Sequence, residues 1–147
     1  MKRKQAKNQV KKRRKVKLDM PKTEEEWEGK LDSEQFRVLR QKGTEMPFTG
    51  KLLYNKEKGV YVCVGCGNKI FRSETKFESG TGWPSFYNAI KDSIKLNEDY
   101  NLPLKRTEVL CSRCGGHLGH VFDDGPKPTG KRYCINNIAL DFKRSKG

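Results

Sequence analysis

The chain has 147 residues, enough for one domain with a single core of ordinary size. Its formal net charge of +14 is lopsided: ten of the 32 Lys and Arg fall in residues 1–17, which hold no acid, so 22 basic groups face 18 acidic ones over the rest. No run approaches the roughly 18 apolar residues of a membrane span, and five cysteines without an export signal point to a reducing, cytoplasmic setting.

Residues 1–18 read as a basic tail and 19–147 as one folded domain. The first 17 residues carry few apolar side chains beyond Ala6, Val10 and Val16. Such a stretch buries too little surface to offset its ordering entropy. No apolar segment follows the charges as in a secretory signal. The tail reads as a solubilising segment, a weak, salt-sensitive contact for nucleic acid or another polyanion, or a targeting element.

Helices come next. Thr23-Glu24-Glu25-Glu26 has capping-box spacing and places acids at a helix N-terminus, so a short helix is expected through Trp27. Leu31-Asp32-Ser33-Glu34 opens a second, with Phe36, Leu39 and Arg40 at helical spacing and Gly43 as its stop. Met46-Pro47-Phe48-Thr49-Gly50 reads as a loop. From residue 51 the pattern changes to short β-prone runs around Leu53, Val60–Val62 and Ile70–Phe71, then Lys105–Leu110, His117–Phe122 and Arg132–Phe142. The fold class expected is mainly β: antiparallel sheets in a sandwich or barrel-like core, short N-terminal helices and a four-cysteine zinc site.

Four cysteines form two matched pairs, Cys63-Val64-Gly65-Cys66 and Cys111-Ser112-Arg113-Cys114, each followed by glycine. Each pair places two thiolates on one tight turn, and two such turns fit a closed tetrahedral zinc site with Zn–S near ~2.3 Å. A closed site has no open position, so this zinc is expected to be structural. The alternatives are redox-active CxxC disulfides, or replacement of one thiolate by His117 or His120.

Cys134 is left over. Along an extended strand, Arg132, Cys134 and Asn136 share a face, giving the sulfur a cation on one side and an amide on the other. Nearby positive charge lowers a thiol pKa. The chain's two histidines, His117 and His120, offer a proton donor in the manner of thiol catalysis. The alternative is an inert buried thiol. Trp83 lies in a Gly-Trp-Pro-Ser-Phe loop, where its indole either walls an apolar pocket or plugs the core.

These segments together resemble a known family. Ser79-Gly80-Thr81-Gly82-Trp83-Pro84-Ser85-Phe86, then Cys111 to Pro126, then Arg132-Tyr133-Cys134-Ile135-Asn136 are similar to the B-type peptide-methionine (R)-S-oxide reductases, over about Glu24 to Phe142. The resemblance implies an antiparallel β core and reduction of methionine-R-sulfoxide in oxidised proteins, a repair of oxidative damage. It implies Cys134 as nucleophile, with His120, His117, Asn136 and Arg132 as polar partners. It puts Trp83 and Phe86 against the substrate, and zinc on Cys63, Cys66, Cys111 and Cys114. His120 is expected to be the principal acid and His117 its helper.

Many relatives carry a resolving cysteine where this chain has Thr81, so the expected recycling of the Cys134 sulfenic acid is by an external thiol, such as thioredoxin or a low-molecular-weight thiol. Asn137 stands where serine is common. No organic cofactor is implied, and monomer is the default. The rival reading is a zinc-ribbon module that binds nucleic acid, which leaves the Arg132-Cys134-Asn136 face unused.

Overall fold

The computed structural model describes residues 20–100 and 105–145; the basic segment at 1–17 lies outside them. α1 (Glu24–Lys30) starts where expected, with the Thr23 hydroxyl accepting the Glu26 N–H and three glutamates in its first turn. Its capping box is half formed, because the Glu26 carboxylate accepts from the Lys22 N–H instead of closing on Thr23. The complete box belongs to α2 (Ser33–Gln41), where the Asp32 and Gln35 side chains each accept the other's backbone N–H. Lys42, not Gly43, takes the left-handed turn that ends α2, at φ 59°. Gly43 is needed there for closeness, since a Cβ would lie 2.8 Å from the Arg37 carbonyl oxygen.

Nine strands follow among the described residues: β1 (Gly59–Cys63), β2 (Lys69–Arg72), β3 (Lys76–Phe77), β4 (Ser85–Phe86), β5 (Ile94–Asp99), β6 (Arg106–Cys111), β7 (His117–Phe122), β8 (Arg132–Ile135) and β9 (Leu140–Arg144). They form a three-stranded sheet in the order β2-β1-β9 and a six-stranded sheet in the order β3-β4-β8-β7-β6-β5. Every pairing is antiparallel. The fold is therefore mainly antiparallel β with two short helices, as expected.

Apolar side chains of both sheets and α2 make one core. Phe86 stacks on Phe71 at 4.2 Å and meets Tyr61 edge-on at 5.0 Å. Ile70, Leu118, Ile135, Val38 and Leu39 close around them, all buried. Burying each such side chain contributes roughly 1.5–3 kcal/mol. The helices cover the cysteine turns: Arg40 lies over the Trp27 ring at 4.8 Å and donates to the Cys114 carbonyl, and Lys30 donates to the Gly65 carbonyl.

Two strand readings are corrected. The run expected to extend from Arg132 to Phe142 breaks after Ile135 into a 3-10 turn at Asn137–Ala139, and β9 joins the other sheet. The cause is side-chain bonding that replaces a ladder. Asn136 donates through Nδ2 to the Leu118 carbonyl and accepts the Glu45 N–H, while Asn137 accepts the Leu52 N–H. β5 was not anticipated, because this edge strand is largely exposed and shows no clean apolar face, Leu96 included.

Candidate active site and metal centre

The two cysteine pairs fold into near-identical turns. In the first, the Gly67 N–H donates to the Cys63 carbonyl and the Cys63 N–H to that of Asn68; in the second, Gly115 donates to Cys111, and Cys111 to Gly116. Gly67 and Gly115 sit at φ 81° and 76°, which L side chains rarely adopt. The turns close on each other. The four Sγ atoms lie within 4.8 Å of one another, with Cys63–Cys114 at 3.7 Å and Cys66–Cys111 at 3.5 Å.

A tetrahedron with Zn–S near ~2.3 Å has sulfur edges of about 3.8 Å, so this donor set fits such an ion. Without a cation the sulfurs must share protons. Bonds from the neighbouring sulfurs, that of Cys111 first, push the Cys63 thiol up, and bonds led by Cys114 pull Cys111 down. His117 and His120 are not among the grouped ligand atoms.

A second site lies where β4, β8 and β7 run side by side. Cys134 pairs directly with Ser85 on one flank and His120 on the other. Residues opposite one another in an antiparallel pair point to the same face. The backbones come close here: a Cβ on Gly119 would lie 2.1 Å from the Cys134 carbonyl oxygen. The result is a cavity of about 260 Å³. Arg132, Cys134 and Asn136 all line it, as their alternation along an extended chain requires, and Trp83 and His120 join them. The half-buried sulfur of Cys134 therefore shares one cavity with an imidazole, an indole and an amide.

Each of these groups is held. The Trp83 indole N–H donates to the Glu45 carbonyl at 3.1 Å. His120 Nε2 bonds Asp99 Oδ2 at 3.1 Å, leaving Nδ1 as the ring's other nitrogen. Arg132 makes a two-pronged pair with Asp124 and lies over the Phe122 ring at 4.4 Å.

His117 sits behind this layer. A register shift between Val109 and Leu110 makes Leu118 an extra residue in β7, so His117 turns to the same side as His120. It is buried, its Nδ1 lies 2.7 Å from Glu108 Oε2, and its ring meets that of His120 edge-on at 5.4 Å. His117 is not part of the cavity wall.

The electrostatics differ from the reading of an acidified thiol. Burial pushes the Cys134 thiol up, against the opposing pull of the Thr81 hydroxyl and the Arg132 charge, and Glu45 adds to the rise. Arg132 acts in the expected direction, but its charge is shared with Asp124. Burial also lowers both histidines below their ordinary value, more than their carboxylate partners raise them. Glu108 stays ionised: burial raises it, but bonds from Asn97 and His117 and the Lys42 charge outweigh that and lower it.

Phe86 is a further correction. Ser85 shares the Cys134 face, so Phe86 must point the other way, and it is fully buried in the core against Phe71. The aromatic ring lining the cavity besides Trp83 is Phe122. Sequence reasoning also missed Thr44 and Arg106 in the wall and Asp99, Glu108 and Glu45 behind it. The signal that finds Glu108 and Asp99 is the register of β6 and β5 beside β7, in which Glu108 pairs with His120 and Asp99 with Arg106.

A SelR domain matches residues 31–144. A peptide methionine sulfoxide reductase MsrB of Methanosarcina barkeri is 65% identical over 123 residues, covering 83% of this chain and 87% of the relative. One of Leptospira interrogans is 56% identical over 127 residues, covering 86% of this chain and 97% of the relative. Among solved structures, the Mis18 "Yippee-like" domain matches with a TM-score of 0.50 at 16% identity, covering 62% of this chain and 100% of that one; this likeness speaks to the fold alone. The chain belongs to the SelR-domain family, the MsrB peptide methionine sulfoxide reductases.

Proposed function

We propose that the protein reduces methionine-R-sulfoxide in oxidised proteins, with Cys134 as nucleophile. The observation that carries this is the meeting of Cys134, His120, Trp83 and Asn136 in one side-chain-sized cavity of a chain of this family. Cys134 attacks the sulfoxide sulfur. The neutral His120, fixed through Nε2 by Asp99, takes the Cys134 thiol proton at Nδ1 and passes it to the sulfoxide oxygen as negative charge develops there. His117, held by Glu108, orients the neighbouring ring and acts as helper.

The indole of Trp83 packs against the substrate methyl. Asn136 and Arg132 complete the polar wall. The balance is one thiol and one sulfoxide going to one sulfenic acid and one thioether. A first external thiol condenses with the sulfenic acid, releasing water, and a second frees Cys134 from the mixed disulfide. Thioredoxin or a low-molecular-weight thiol supplies them, since Thr81 cannot resolve the intermediate.

Cys63, Cys66, Cys111 and Cys114 hold one structural zinc ion in this reading, supported by their spacing and the four-sulfur cluster. The domain, 19–147, acts as a cytoplasmic monomer. Residues 1–18 are in this reading a basic tail that aids solubility, with a weak polyanion contact through residues 1–17 as the alternative. Among the described residues no helix is long and apolar enough to cross a membrane.

The test is turnover of each sulfoxide epimer in a peptide, with dithiothreitol or thioredoxin. The R epimer is expected to yield methionine, and Cys134→Ser to abolish turnover while leaving the melting temperature and metal content unchanged. Turnover by Cys134→Ser would overturn the assignment.

A further inference from the structure

Three hydroxyls stand in line behind the Cys134 sulfur. Thr81 Oγ1 is 3.9 Å from Sγ, Ser79 Oγ is 2.8 Å from Thr81 Oγ1, and the fully buried Ser85 Oγ is 2.7 Å from Ser79. Ser85 is the residue paired with Cys134 across β4 and β8, so the line begins and ends on the same strand pair.

Counting protons shows what this line can do. Ser85 has the Trp83 carbonyl as acceptor at 3.1 Å. Ser79 Oγ accepts the Thr81 N–H at 3.3 Å, and Thr81 Oγ1 accepts the Trp83 N–H at 3.4 Å. With the Ser85 proton on that carbonyl and the Ser79 proton on Ser85, the Thr81 proton has two acceptors: Ser79 Oγ or the Cys134 sulfur. Rotation about one C–O bond moves it between them, and no hydroxyl in the line loses its partner in either state.

We propose that Thr81 is a switchable hydrogen-bond donor to Cys134, its hydroxyl resting on Ser79 while the sulfur is a thiol and turning to the sulfur when it becomes a thiolate. The 3.9 Å separation is long for the neutral pair. It shortens when the acceptor is charged, as bonds in resting active sites do. The inference rests on the reading of Cys134 as nucleophile.

Of the other groups facing the sulfur, Arg132 also bonds it, and both it and His120 are tied to carboxylates. Arg132 on β8 is paired with Asp124, His120 on β7 with Asp99, and Arg106 on β6 also bridges to Asp99 at 3.5 Å. The buried Glu45 opposes the thiolate. The Thr81 hydroxyl is the largest single pull on the sulfur, ahead of the Arg132 charge and of the Arg132 hydrogen bond taken one by one.

The experiment measures the pH dependence of Cys134 alkylation by iodoacetamide in the zinc-loaded protein, read as the mass of the peptide containing Cys134. Thr81→Val keeps the branched shape and removes the hydroxyl. It is expected to raise the apparent Cys134 pKa by about one unit, slowing alkylation at neutral pH about tenfold. Thr81→Ser is expected to restore the wild-type profile. Thr81→Ala, which asks less of the loop, is expected to shift the same way as Val.

A Val or Ala profile superimposable on wild type overturns the proposal, as does a Ser profile that matches Val. No sulfoxide enters this assay. A chain that fails to turn over sulfoxide but shows the Thr81 shift would lose the proposed function and keep the hydroxyl donor.

Discussion

Cys134 and His120 face each other across β7 and β8, and both have burial working against their charged forms. A thiol held up by burial stays protonated to higher pH. Alkylation of Cys134 without substrate is therefore expected to rise through a midpoint above the ordinary cysteine value of about 8.5. A midpoint below that value would show that fixed positive charge dominates after all. A proton donor held in place contributes about 100-fold or more. His120→Asn should cost at least that in kcat/KM while leaving alkylation at high pH as in wild type. A variant with near-normal turnover would move the proton donor elsewhere.

At the scale of elements, β5 to β7 carry a linked set of polar side chains in and behind the cavity wall. Asn97 and His117 converge on Glu108 from two neighbouring strands, and Asp99 and Arg106 meet beside His120. This set makes stability pH-dependent, with a definite sign. Both histidines titrate lower in the fold than in the unfolded chain, whose histidines sit near about 6.5. The unfolded chain binds more protons as pH drops below that value, so stability falls. Glu108, also lowered, loses its contribution at still lower pH as it protonates.

Urea denaturation is expected to give less stability at pH 5 than at pH 7, and His117→Gln to flatten part of that slope. Equal stability at the two values would contradict the buried-neutral state of the histidines.

The same elements show what could be read from the chain beforehand. α1, α2 and the bounds of β7 followed from caps and β-prone runs, and the face shared by Arg132, Cys134 and Asn136 followed from strand alternation. The break after Ile135 did not, because it depends on Asn136 reaching Leu118 and Glu45, residues 18 and 91 positions away. β5 was hidden by its exposure, and with it Asp99. Phe86 was legible in principle, since alternation from Ser85 excludes it from the cavity, but only once Ser85 is known to pair with Cys134.

Across the whole molecule, the four-sulfur cluster joins the ends of β1 and β6, which belong to different sheets, and the helices pack over it. A structural ion here would be held by all four sulfurs, and its removal would leave four thiols within 4.8 Å of one another. Chelation, or Cys63→Ser, is expected to destabilise the fold by far more than the roughly 1 kcal/mol of an ordinary point substitution, read as a lowered melting temperature. A metal-free chain that melts like the loaded protein would exclude a structural ion.

In the proposed function four sulfurs hold the fold and one takes up oxygen. The most direct measurement is a single turnover on a methionine-R-sulfoxide peptide with no reductant present, trapped with a sulfenic-acid probe and read by mass spectrometry. The expected result is one probe adduct per chain, on Cys134, matched by one methionine formed and no internal disulfide. Methionine formed with Cys134 unmodified, or Cys134 joined to one of the four cluster cysteines, would contradict it.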